Sequence, residues 1–125
     1  CGHVYSLVEA SKLGDYLWIA LNSDLSIKKL KGESRPIIRE NDRAYILSNL
    51  MCVSGVTIFN SKRLDSEILA LKPDIYAKAG DYNPSNIAKE EQQALKKVKS
   101  KIEFVSFLPE RSTTSLIDKI ISKYK

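Results

Sequence analysis

The sequence predicts an α/β domain, a parallel sheet with helices packed on both faces. Three observations carry that prediction. Along the chain, helix-type apolar stripes alternate with short, continuous β-prone runs. Strands separated by helices are joined by right-handed crossovers, which make neighbouring strands parallel. The polar segments best suited to chemistry fall just after strand-like runs, where a parallel sheet presents its ligand crevice. A chain of 125 residues makes one domain with a single core.

The elements follow in order. Val4, Leu7 and Val8 lie at i, i+3, i+4 and mark a first helix, with Gly14 as its stop. Tyr16 to Leu21 is an apolar strand. Residues 22–39 read as a loop with at most a short helical turn near Ile27. Asn41 or Asp42 caps the next helix, whose face is Ile46, Leu47, Leu50 and Met51. Gly55 to Phe59 is a second strand. A short helix beginning at Asp65 or Ser66 carries Ile68, Leu69 and Leu71, and Pro73 ends it. Asp74 to Lys78 is a third strand, and Pro84 to Val98 is polar with a helical middle. Ile102 to Leu108 is the fourth strand. Ser112 caps a last helix with Leu116, Ile117, Ile120, Ile121 and Tyr124 on one stripe.

Composition narrows the function classes. No apolar run approaches the roughly 18 residues of a membrane span. Cys1 and Cys52 have no metal-ligand spacing and make no disulfide framework. Cys52, in an apolar stretch, is expected to be buried, and both thiols fit a reducing cytoplasm. Net charge is +5, which raises nucleic acid as a partner. The excess collects partly in Lys96, Lys97, Lys99 and Lys101, without interleaved aromatics for base stacking. With Glu90 and Glu91 toward the other end, that pattern reads as a solvated helix aligned with its dipole. Nucleic acid is therefore not the expected partner.

Several residues invite chemistry, each with a plain alternative. His3, the sole histidine, follows Gly2 at a helix start, where free N–H groups and the dipole favour phosphate. A histidine there is otherwise an ordinary surface residue. Lys31 in Leu30-Lys31-Gly32 is a phosphate-binding cation or one more solvated lysine beside Lys28 and Lys29. Ser112-Thr113-Thr114 is a helix cap, an anion site, or both. Lys78-Ala79-Gly80-Asp81-Tyr82 ends a strand and then turns. Arg43 either reaches a site or pairs with an acid on its helix.

Taken together, five blocks in order resemble one superfamily: Cys1-Gly2-His3, Asn22-Ser23-Asp24 with Ser26, Leu30-Lys31-Gly32, Lys78 to Tyr82, and Ser112-Thr113-Thr114. The chain is similar to the His-x-Gly-His nucleotidylyltransferases, of the cytidylyltransferase-like, Rossmann-like fold. Within them it most resembles the adenylyltransferase domain of bacterial ADP-heptose synthase. The resemblance runs from Gly2 to Ile120. It implies transfer of a nucleotidyl group from ATP to a sugar 1-phosphate, with a heptose 1-phosphate as acceptor, in lipopolysaccharide precursor synthesis.

The same resemblance assigns catalysis to His3 and Lys31. It assigns nucleotide binding to Gly2, His3, Lys31, Arg111, Ser112, Thr113 and Thr114, and substrate binding to Asn22, Asp24, Arg35, Lys78, Asp81 and Tyr82. Ala79 stands where the heptose branch carries glycine and is penalised if that position needs positive φ. Ser54, in place of an aspartate, reads as a surface change. Mg²⁺ is expected with ATP, with no ligand set legible. A homodimer and a fused or separate sugar kinase are the implied partners. The family also places a central strand, ending in the first histidine of the motif, ahead of Cys1. The expectation is therefore a domain truncated at its N-terminus, whose sheet has two unpaired edges facing each other. A glycerol-3-phosphate cytidylyltransferase is the alternative within the fold; a non-catalytic nucleotide- or nucleic-acid-binding domain is the alternative of another class.

Overall fold

The computed structural model describes residues 1–80 and 83–125. Helices and strands alternate as the periodicity requires: α1 (Gly2–Ser11), β1 (Trp18–Asn22), α2 (Asp24–Lys31), α3 (Glu40–Ser48), β2 (Gly55–Phe59), α4 (Asp65–Leu71), β3 (Ile75–Ala79), α5 (Lys89–Lys97), β4 (Lys101–Val105) and α6 (Thr113–Tyr124). A single 3₁₀ turn, Pro84–Asn86, precedes α5. No helix of the described residues is long and apolar enough to cross a membrane.

Local chemistry explains most boundaries. Lys72 takes a left-handed conformation after α4, and Pro73 prevents the helix from resuming. Ser112 caps α6 by accepting the Ser115 N–H. In α5 the acids Glu90 and Glu91 occupy the first turn and Lys96 and Lys97 the last, which is the dipole-favoured order.

Other expectations need correction. Residues 22–39 hold a full helix, α2, closed by Gly32 at φ +92°. The α3 helix starts at Glu40 after Arg39 and has no side-chain cap from Asn41 or Asp42. It ends at Ser48, so Leu50 and Met51 lie beyond it, and Met51 is fully exposed. Cys52 is half-buried rather than buried.

The strands pair in parallel, as two separate sheets. Within the first, Trp18 lies opposite Gly55 and Asn22 opposite Phe59; within the second, Ile75 lies opposite Lys101 and Ala79 opposite Val105. The main core belongs to the second sheet, where Ile68, Ile87, Ala94 and Leu95 pack with Tyr76, Ile102 and Phe104. Glu91 is buried there and accepts the Leu64 N–H at 3.1 Å, satisfying a free donor at the start of α4.

Between the sheets lies a slot of about 570 Å³. Its walls are β1 (Trp18 to Ala20), β3 (Ile75 to Ala79), Leu7 and Ala10 of α1, and Ile68 and Leu71 of α4. The facing edges of β1 and β3 are not bonded to each other. Trp18 lies across Gly55: a Cβ at Gly55 would fall 2.5 Å from the indole, whose Nε1 donates to Thr57 Oγ1 at 2.8 Å. Glycine is required there because the ring occupies the Cβ position. Ser54, expected to be a surface change, bridges the two strands: its N–H donates to Leu17 O, and its Oγ accepts the Leu17 N–H.

Candidate functional site

Two helix starts converge at one end of the molecule. A Cβ on Gly2 would lie 3.0 Å from both Cβ and the carbonyl oxygen of Arg111, so glycine lets the α1 backbone approach the segment entering α6. Tyr5 shares a hydrogen bond with Ser106 Oγ at 3.4 Å, and Ser6 Oγ donates to Ser106 O at 3.1 Å. These contacts anchor α1 on the carboxyl end of β4. His3 sits exposed in the first turn of α1, and Thr113 and Thr114 sit exposed in the first turn of α6. The Ser112 oxygen is committed to its cap; the Thr113 hydroxyl has no partner among the described residues. Arg111 projects into solvent. Two sets of free N–H groups and several uncommitted donors so face one region, an arrangement suited to phosphate oxygens.

The α2 helix brings a further set. Its N-terminus is fixed to the ends of both strands of its sheet. Ser23 N–H donates to Phe59 O at 2.9 Å, and Ser26 Oγ donates to Ser61 O at 3.1 Å and accepts from Asn22 Nδ2 at 3.0 Å. Ser23 and Ser26 are buried. The Asn22 to Ser26 block, expected on the substrate, spends much of its polarity on this anchor. Lys31, at the other end of α2, is exposed and has no ion pair or hydrogen bond among the described residues. Gly32 then turns the chain toward Arg35, whose Nη2 donates to Thr114 Oγ1 at 3.4 Å. This contact brings the predicted Arg35 and Ser112–Thr114 blocks together.

Asp24 is engaged by Arg43, at 2.8 Å. Arg43 was open to two readings, and pairing is the one observed. Lys78 is half-buried and donates to Asn86 O at 2.8 Å, which holds it at the root of the following loop. Ala79 lies within β3 and is not among the positive-φ residues, so alanine is not penalised; Gly80, at φ +126°, makes the turn. Asp81 and Tyr82 lie outside the described residues. Among the described residues no group of three or more His, Cys, Asp or Glu is placed to hold a metal. Glu40 and Ser61 escaped the sequence reading, because each acts through a partner far away in the chain.

This geometry agrees with what the chain is similar to. The family profile described as cytidylyltransferase-like matches residues 1–119. "Bifunctional protein HldE" of Pelobacter propionicus is 43% identical over 123 residues, covering 98% of this chain and 25% of that protein. The HldE of Aliarcobacter butzleri is 40% identical over 119 residues, 95% of this chain and 24% of that protein. The chain thus spans about a quarter of the length of these relatives. Among solved structures, the lipopolysaccharide core biosynthesis protein from Thermoplasma volcanium superposes with a TM-score of 0.65 at 26% identity, covering 86% of this chain and 84% of that one. With the parallel strands, the glycine-permitted α1 start and the capped α6 start in the order the resemblance requires, the chain belongs to the cytidylyltransferase-like family.

Proposed function

We propose that the protein transfers an adenylyl group from ATP to a sugar 1-phosphate, with a heptose 1-phosphate as acceptor. An oxygen of the sugar phosphate attacks the α-phosphorus, and the bond to pyrophosphate breaks with its electron pair leaving on pyrophosphate. The nucleophile is already anionic, so the reaction asks for positioning and positive potential rather than for a base. The observation that carries this reading is the approach of the α1 start to the α6 start through Gly2 and Arg111. His3, Thr113 and Thr114 stand at those starts, and Lys31 and Arg35 supply cations from α2 and the residues after it. Arg111 adds a cation at the mouth. Lys78, Asp81 and Tyr82 fall at the carboxyl end of β3, where they would meet the sugar. Mg²⁺ enters with the triphosphate and neutralises part of its charge.

The names of the relatives support the choice of acceptor and, through the word bifunctional, a second activity on the same polypeptide, which we assign to a sugar kinase. The slot between β1 and β3 supports a central parallel strand supplied by polypeptide leading into Cys1. The exposed Leu116, Ile120, Ile121 and Tyr124 of α6 support a homodimer. Pyrophosphate release by the intact protein tests the reaction. ATP with a heptose 1-phosphate is expected to turn over well above CTP with glycerol 3-phosphate. Equal or better turnover with the cytidine pair would move the assignment to a glycerol-3-phosphate cytidylyltransferase. Binding without turnover of either pair would leave a nucleotide-binding domain.

A further inference from the structure

We propose that Arg43 is a positioning residue. With Asp24 and Glu40, it clamps α2 against α3 and so fixes residues 32–39, which carry Arg35 toward the start of α6. Arg43 Nη2 donates to Asp24 Oδ1 at 2.8 Å, and Arg43 Nε donates to Ile38 O at 3.0 Å. Glu40 Oε2 accepts the Asp24 N–H at 3.1 Å. One guanidinium therefore holds both ends of the segment: Asp24 opens α2, and Ile38 precedes α3. The Arg43 side chain is only 17% exposed, so the pair is shielded well beyond an ordinary surface bridge.

The chemistry of the guanidinium makes the assignment specific. Its Nε and Nη2 donors diverge in a fixed plane and reach two acceptors at once. A lysine keeps the charge and reaches Asp24 or Ile38 O, but does not hold both in that geometry. The glutamate is equally placed for a role, since its carboxylate takes a first-turn N–H of α2 while it sits in the first turn of α3. The segment between is otherwise loosely held: residues 33 and 34 and Ile37 and Ile38 are exposed, and Arg35 reaches Thr114 by one long hydrogen bond. Without the clamp, Lys31 and Arg35 lose their fixed distance from the α6 start. Asp24 then acts through Arg43 and not by touching substrate.

The effect on turnover rests on the function proposed above; the effect on the segment does not. Two measurements separate them. Hydrogen–deuterium exchange of the nucleotide-free protein is expected to show residues 32–39 exchanging about tenfold faster in Arg43→Lys and in Asp24→Ala, with β3 and β4 unchanged. Exchange identical to wild type in both variants overturns the clamp, whatever the reaction proves to be.

The second measurement is a rate cycle at a temperature where all variants are folded. A misplacement of about 1 Å costs roughly 10² in rate. Asp24→Ala, Arg43→Ala and the double variant are each expected to lose about that factor, with kcat carrying the loss and KM moving little. The double variant should be no worse than either single one. Multiplying losses would show Asp24 working independently on the substrate and would overturn its assignment. If Arg43→Ala does not fold, Arg43→Lys takes its place in the cycle. Wild-type turnover in that folded lysine variant overturns the need for two donors.

Discussion

Replacing Gly2 by alanine tests whether the two helix starts form one site. The new Cβ would meet Arg111 Cβ and Arg111 O, both at 3.0 Å. Carbon pairs rest at about 3.5–4.0 Å, so α1 or the segment entering α6 must yield by about half an ångström or more. The carbonyl oxygen is backbone and cannot swing aside as a long side chain would. The folding term runs the other way, because alanine is favoured over glycine by up to about 1 kcal/mol within a helix, and by a fraction of that in its first turn. Stability is therefore expected to stay within about 0.5 kcal/mol of wild type, the two terms nearly offsetting. Activity has no such compensation. A shift of about half an ångström between groups that hold one triphosphate should lower kcat/KM about tenfold, the square root of the roughly 10² quoted for a full ångström. Thermal unfolding and pyrophosphate release on the same preparation decide the matter. Wild-type kcat/KM in Gly2→Ala would refute the shared site. A large loss of stability would show that the contact serves packing instead.

Three further outcomes are expected. His3→Ala and Lys31→Ala should each lower kcat by about 10²–10³ while unfolding near the wild-type temperature, since both side chains are exposed and neither makes an ion pair among the described residues; folded variants with normal kcat would remove them from the mechanism. Thr113→Val should weaken ATP binding in a titration with thermal stability nearly unchanged, because Ser112 keeps the cap whose loss would cost about 1 kcal/mol; unchanged affinity in both Thr113→Val and Thr114→Val would leave capping as the sufficient account. Burial, with Glu91 nearby, pushes the Tyr76 phenol up to about 12; the folded chain keeps that proton above the ordinary value of about 10 where the unfolded chain loses it, so stability falls as pH rises through that window, by at most ~1.4 kcal/mol per unit, and Tyr76→Phe should flatten this part of a denaturation-versus-pH curve.

What the sequence made legible was what depends on neighbours in the chain. The Ser112 cap, the proline stop after α4 and the charge order of α5 each involve residues within a few positions, and each was found where the pattern placed it. The α2 helix was missed because it has no apolar stripe worth the name: Leu25 and Leu30 are exposed, and three lysines fill its last turn. It is held by the buried Ser23 and Ser26, whose partners Phe59 and Ser61 come from the end of another strand. The Asp24–Arg43 pair bridges 19 positions between two helices, a distance at which charge pattern carries no signal. The stripe expected on α3 failed for the opposite reason. Leu50 and Met51 continue the helical spacing, but the helix has already ended at Asn49.

The division of the sheet bears directly on the site. Lys31 and Arg35 are carried by elements anchored on β1 and β2, through Ser23 and Ser26. Gly2, His3 and the Ser112 cap are carried by elements anchored on β4 and the segment after it. The slot of about 570 Å³ lies between these two halves, and the Arg35–Thr114 hydrogen bond crosses from one to the other at 3.4 Å. Whatever occupies the slot therefore sets the distance between the cations of one half and the helix starts of the other. A parallel strand bonded to both β1 and β3 would fix that distance to the sheet spacing of about 4.7–4.9 Å per neighbour, the most rigid spacer a protein offers. It would also satisfy the facing backbone donors and acceptors on both edges. On this argument the catalytic geometry and the completion of the sheet are one problem. Protection of the β1 and β3 edge amides and turnover should then rise together when the intact polypeptide is compared with residues 1–125.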